Sequence, residues 1–196
     1  VAHVASATPR DCDVMRCTLQ GHEGVEVQRY CINVLGFGMN GEVVRRANQS
    51  SKRLGGRLTF AVATMRALGS YETPTVRITW VDQNGLDGQW EGPLASAFVA
   101  NGGRCGGGMV VGAGVLDDGV VDLAVIPDLP LWRTILATPH LYDGRLQNVK
   151  EVSSASIRHL DAIVLNGKSA LVDLDGEQPG LLPLRASVVA KALLVT

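Results

Sequence analysis

Apolar and polar positions change rhythm several times along the chain. Val14–Leu19 and Val25–Leu35 are β-rich runs, with Gly21-His22-Glu23-Gly24 as the turn between them. Glu42–Asn48 predicts a short helix. Leu58, Ala61, Val62, Met65 and Leu68 then fall on one face of a second helix that stops at Gly69. From Thr73 onward the pattern is mostly β. Val76–Val81 alternates, Asn84-Gly85 and Asp87-Gly88 supply turns, and Leu94–Ala100 is an apolar run of the buried-strand type. Further strands are predicted at Val120–Ile126, Val149–Leu160, Ala170–Asp175, Leu184–Val189 and Ala192–Val195, with a short amphipathic segment at Leu131–Ala137. Many short strands with one helical insertion predict a mainly β chain with inserted helices (α+β), built as a β-sandwich rather than a doubly wound sheet.

Composition narrows the function classes. With 196 residues, 46% apolar, the chain can bury a real core as one large domain or two small ones. A net charge of −1 offers no global basic field, so no nucleic-acid partner is expected. Cys12, Cys17, Cys31 and Cys105 form no C-x-x-C pair, and no signal peptide pattern precedes them. Reduced thiols in a cytoplasmic protein follow as the expectation. A zinc site from Cys12, Cys17, Cys31, His3 and His22 matches no common module spacing, and buried free thiols are the simpler reading. No apolar run approaches the roughly 18–20 residues of a membrane span, so any membrane contact is made from the water side. Arg45, Arg46, Lys52, Arg53 and Arg57 form the dense basic cluster, either a solvated helix face or a patch for anionic head groups at about 1 kcal/mol per charge. The opening Val1–Arg10, with no initiating methionine, is expected to be the frayed edge of a processed or excised fragment.

The candidate chemistry concentrates in Val99–Asp122. Gly106-Gly107-Gly108 leaves bare backbone between strands, and Asp118-Gly119 is either a turn or a loop offering a carboxylate and carbonyls to a hard cation. Gly36–Gly41 matches the G-x-G-x-x-G dinucleotide fingerprint. A second helix follows it where a strand ending in an acidic residue is required, with no Asp or Glu between Glu42 and Glu72. Asp-Gly also occurs at positions 87, 143 and 175, where simple turns are the ordinary explanation.

Four elements stand in order: Asn33–Gly38 followed by Lys52-Arg53-Leu54-Gly55-Gly56; Asn101-Gly102 with Gly106–Gly108; Asp118-Gly119 with Asp122; and Asp175-Gly176-Glu177. Together they resemble the C-terminal domain of the bacterial-type diacylglycerol kinase-like lipid kinases, relatives of the sphingosine and ceramide kinases. The resemblance runs from about Val25 to the end of the chain. It implies a β-sandwich of the NAD kinase/diacylglycerol kinase-like type, with an apolar groove for acyl chains, spanning residues 1–196 as a lipid-binding domain. The family's ATP-binding domain carries a Gly-Gly-Asp-Gly-Thr loop that this sequence lacks, so the chain alone is expected to be inactive.

By position, the resemblance makes Glu177 the general base toward a lipid hydroxyl, and places Asn101 and Gly102 at the nucleotide side of an interdomain cleft. It assigns Mg²⁺ to the Asp118 side chain and the carbonyls of Val115 and Val120, with ATP as co-substrate. Gly103, Arg104 and Cys105 depart from the arginine and bulky aromatics often found there, changing the shape of that wall. The implied partners are a diacylglycerol- or sphingoid-like lipid and ATP, at a cytoplasmic, peripherally membrane-associated location, with a homodimer left open. Two alternatives stand beside this reading. One is a non-catalytic lipid- or metal-binding sandwich in which Glu177 and Asp118 are only turn residues. The other is a nicotinamide-dependent enzyme using Gly36–Gly41.

Overall fold

The computed structural model describes residues 8–49, 71–105, 108–130, 132–134 and 139–195. The long hairpin β1 (Arg10–Gly21) and β2 (Glu26–Cys31) comes first, followed by β3 (Val34–Gly38), which runs into helix α1 (Met39–Gln49). Next come β4 (Thr75–Asp82), β5 (Asp87–Ala100), a short ribbon of β6 (Arg104–Cys105) and β7 (Met109–Val110), and β8 (Val121–Pro127). A one-turn helix α2 (His140–Asp143) leads to β9 (Ser153–Val164), β10 (Leu171–Leu174) and β11 (Glu177–Val195). Nine strands make one antiparallel sheet in the order β2-β1-β11-β10-β3-β5-β4-β9-β8. Additional β11–β9 and β5–β8 pairings fold this sheet back on itself around a core that includes Met15, Phe37, Ile78, Leu94, Val125 and Leu160.

Long strands join the two layers, and their sequence shows how. In β5 the polar half, Asp87–Pro93, alternates in burial and pairs with β4. The apolar half, Leu94–Ala100, is buried almost throughout and lies between β3 and β8. Alternation suits a strand with one wet face, whereas a continuous apolar run suits one covered on both.

Two expectations need correction. The last two predicted strands are one, β11, paired along β1 from Gly180 to Val195. The interruption near Ala190 is a bulge: between the pairs Cys12↔Leu193 and Val14↔Val189, Asp13 faces three residues of β11. Lys191 there has a positive φ of 53°, as bulges permit. The dinucleotide alternative also fails, because β3 is flanked by β10 and β5, both antiparallel, and among the described residues no βαβ unit forms around Gly36–Gly41. Its glycines serve close packing instead. A Cβ on Gly36 would lie 1.7 Å from Asn40 Nδ2, and one on Gly41 would lie 2.4 Å from the Leu171 carbonyl oxygen.

The predicted helix at 58–68 and the cations Lys52, Arg53 and Arg57 fall outside the described residues. Within α1, Arg45 and Arg46 both reach Glu42, at 2.6 and 2.5 Å. Among the described residues no helix is long and apolar enough to cross a membrane.

Candidate active site

The turn from β10 to β11 carries Asp173, Asp175, Gly176 and Glu177. Its tightness rests on two consecutive positive φ angles, 52° at Asp175 and 89° at Gly176. Asp173 Oδ1 closes the turn by accepting the Gly176 N–H at 2.8 Å, and Asn48 of α1 donates to the Gly176 carbonyl at 3.0 Å. Asp175 points back under the β2–β3 connection. Its carboxylate accepts the N–H groups of Ile32 (2.7 Å), Asn33 (2.9 Å) and Val34 (2.9 Å), together with the Cys31 thiol (3.2 Å). Glu177 follows as the first residue of β11, exposed, and hydrogen-bonded through its side chain to none of the described residues.

From this turn a continuous hydrogen-bonded chain runs to the other predicted loops. The Asn33 carbonyl accepts the N–H groups of Asn101 (2.8 Å) and Gly102 (3.1 Å). The Asn33 side chain lies against Gly102, where a Cβ would come within 2.0 Å of Oδ1, and donates to the Arg104 carbonyl. Asn101 is 1% exposed, and its Nδ2 donates to the carbonyls of Ile32 and Asp13, both at 2.9 Å. Asp13 is fully buried and holds the next loop: its carboxylate accepts Gly119 N–H at 2.6 Å and Lys191 N–H at 2.7 Å, and its own N–H reaches the Leu116 carbonyl. Thus Asn101, Gly102, the Asp118 loop and the turn that bears Glu177 are tied by one network. Asn101 lies inside it, with its side chain in the core.

Asp118 itself is exposed, its Oδ1 accepting Val120 N–H at 3.2 Å within the loop. Val115 is exposed and Val120 half-buried beside it. One outward carboxylate with main-chain carbonyls is an oxygen donor set of the kind Mg²⁺ accepts, with water completing the shell. Among the described residues no three His, Cys, Asp or Glu side chains converge as a metal centre.

Two adjoining cavities complete the site. A cleft of about 270 Å³ is lined by Asn33, Asn48, Cys105, Asp173, Asp175 and Gly176, among others. Behind it, an apolar cavity of about 120 Å³ runs between α1, β5 and the α2 region, bordered by Val43, Ile126, Leu129, Leu141, Leu146 and Val152. Asn40, Phe98 and Met109 border both. Burial pushes the Asp173 carboxyl up to about 7, and the neighbouring Asp175 and Glu177 charges push the same way. Cys12, Cys17 and Cys31 are buried free thiols, and burial carries Cys17 and Cys105 up to about 12, so neither is a ready nucleophile.

The sequence presents Asp175 only as part of the Asp175-Gly176-Glu177 motif, with no role of its own, and singles out none of Asp13, Asp173 and Asn40. Asp13 stands just outside the predicted run Val14–Leu19, and its partners lie far along the chain.

Comparison with known proteins points one way. Residues 33–196 match the model of the YegS C-terminal NAD kinase beta sandwich-like domain. The chain is 29% identical over 178 residues to a protein of Stenotrophomonas maltophilia strain K279a named "Probable lipid kinase YegS-like", covering 90% of this chain and 54% of that one. A protein of the same name from Xanthomonas oryzae pv. oryzae strain MAFF 311018 is 30% identical over 151 residues, or 76% of this chain and 47% of the other. The chain therefore spans about half the length of the curated relatives it matches. A solved diacylglycerol kinase structure from Bacillus anthracis strain Sterne shares the fold with a TM-score of 0.59 at 16% identity, over 95% of this chain and 53% of that one.

Proposed function

Because the chain belongs to the YegS C-terminal NAD kinase beta sandwich-like domain family, we propose that it is the acceptor-binding half of an ATP-dependent lipid kinase. One observation carries the reading: an apolar cavity shares a wall, Asn40, Phe98 and Met109, with a cleft bordered by the turn that bears Glu177. That arrangement suits an amphipathic acceptor, with its hydrocarbon buried behind Phe98 and Met109 and its hydroxyl facing the acidic turn.

In the reaction, Glu177 takes the proton of the lipid hydroxyl as its oxygen attacks the γ-phosphorus of ATP. The bond from γ-phosphorus to the β–γ bridging oxygen breaks and ADP leaves. Glu177 suits this task because no described residue occupies its carboxylate oxygens. Asp175 does not, since four donors of the β2–β3 connection, three on Oδ1 and one on Oδ2, hold its carboxylate turned toward the protein. ATP is bound mainly by a second domain carrying the Gly-Gly-Asp-Gly-Thr loop. Asp118, with the Val115 and Val120 carbonyls, would hold Mg²⁺, which neutralises charge and stiffens that loop. The protein works at the cytoplasmic membrane surface, approached from the water side.

The test is Glu177→Gln in the enzyme with its nucleotide-binding domain present. kcat should fall by roughly 10²–10⁴ with lipid KM little changed. Retention of most of kcat would rule Glu177 out as the base.

A further inference from the structure

Asn40, the second residue of α1, is 8% exposed, and neither atom of its carboxamide has a hydrogen-bond partner among the described residues. Buried polar atoms in folded proteins are nearly always paired, so an orphaned amide calls for an explanation. Its position supplies one. Asn40 stands in the wall common to the apolar cavity and the acidic cleft, where the polar and hydrocarbon parts of an amphipathic ligand would meet. It is also seated deliberately, since Nδ2 occupies the space that any side chain at Gly36 would fill.

We propose that Asn40 is the receptor for the polar linkage of the acceptor lipid, an inference that rests on the lipid-kinase reading and deepens it. Nδ2–H donates to the acyl carbonyl, and Oδ1 accepts from an O–H or N–H beside it. The substrate must then offer, besides the reacting hydroxyl, both an acceptor and a donor at the linkage. A singly acylated glycerol does so through its ester carbonyl and second hydroxyl, and an N-acylated amino alcohol through its amide. A diacylglycerol does not, because its one hydroxyl goes to the base and only carbonyls remain for Asn40.

The experiment measures lipid binding to the 196-residue chain by displacement of a fluorescent long-chain alcohol. The competing ligands are a monoacylglycerol, an N-acylethanolamine, a diacylglycerol and a plain alcohol of equal chain length. Asn40→Leu keeps the size and removes both polar atoms. It should weaken the monoacylglycerol or the N-acylethanolamine tenfold or more, the diacylglycerol about threefold, and the plain alcohol less than twofold. Loss confined to one of the first two assigns the linkage as ester or as amide. Equal weakening of all four, or of none, while lipid still binds, overturns the role of Asn40 and leaves the kinase reading standing. Failure of the wild-type chain to bind any of them overturns both.

A second comparison needs no variant. The wild-type chain should prefer the monoacylglycerol at least fivefold over the monoalkyl ether that differs only in lacking the carbonyl, and equal affinity overturns the proposal.

Discussion

Asp173→Asn isolates an energetic cost that the β10–β11 turn places on the fold. In the folded chain burial lifts this carboxyl from its ordinary 3.8 to about 7. Below about pH 4 the group is protonated in both folded and unfolded states and costs nothing. Between about pH 4 and 7 the unfolded chain releases the proton while the folded chain keeps it, so stability falls as pH rises. Above about pH 7 both states are ionised and the loss is complete. A displacement of that size corresponds to roughly 4 kcal/mol. Asp173 lines a cleft rather than a sealed core, and water reaching it relieves part of the cost, leaving about 2–4 kcal/mol.

Asn at this position is permanently neutral and still offers an oxygen to the Gly176 N–H. The variant should therefore match wild type near pH 4 and exceed it at pH 8 by that amount. For a chain of this length the gain is a Tm difference of about 5–15 °C. The assay is a pair of thermal melts at each pH, read as the difference between the two proteins. That difference cancels Glu42, which the hydrogen bond from Arg45 holds below the usual carboxylate range and whose contribution is lost at the acidic end in both. A Tm difference independent of pH would refute the reasoning, since only a titrating group can produce the slope.

Other carboxylates of the network make different predictions. Asp13→Ala should cost about 3 kcal/mol or more in urea denaturation, because it strands the Gly119 and Lys191 N–H groups around a buried site, and Asp13→Asn should recover part of the loss. Asp175→Ala should cost about 2–3 kcal/mol and speed amide exchange at Ile32, Asn33 and Val34 while leaving exchange in β4 unchanged. Asp118→Ala should abolish the rise in Tm that Mg²⁺ gives wild type; an equal response in both proteins would place any Mg²⁺ site elsewhere.

What the residues revealed in advance follows the range of the interactions involved. The sandwich was legible because burial on one or two faces leaves a period of two or an unbroken apolar run, as the two halves of β5 do. The family was legible because its motifs are short and local. Less visible was β11, where a bulge opposite Asp13 interrupts the pattern in the way a turn does. Asp13 reaches Gly119 and Lys191, 106 and 178 residues away in the chain, and nothing local announces such partners. Asn40 reads as an ordinary polar residue at a helix start until Gly36 is seen beneath it. The Asp-Gly at 175 looked interchangeable with the other three. Its distinction, a carboxylate fastening the β2–β3 connection, exists only once Ile32, Asn33 and Val34 are brought within 3 Å.

The same geometry explains why the acidic turn can hold three carboxylates without confusing their roles. Asp175 is a fastener: three donors crowd its Oδ1 and Ile32 N–H takes Oδ2, so its carboxylate is aimed at the β2–β3 connection. Asp173 faces inward, is partly occupied by Gly176 N–H, and is reluctant to ionise near neutrality, which limits the negative charge the turn carries. Glu177 is left exposed at the start of a 19-residue strand. Because Asp175 binds Asn33 and Asn33 binds Asn101, whose amide holds Asp13, the turn is fixed through the same bonds that fix the Asp118 loop. The proposed base would need a free lone pair and a fixed backbone, and the bonds of Asp173, Asp175 and Asp13 supply the second condition.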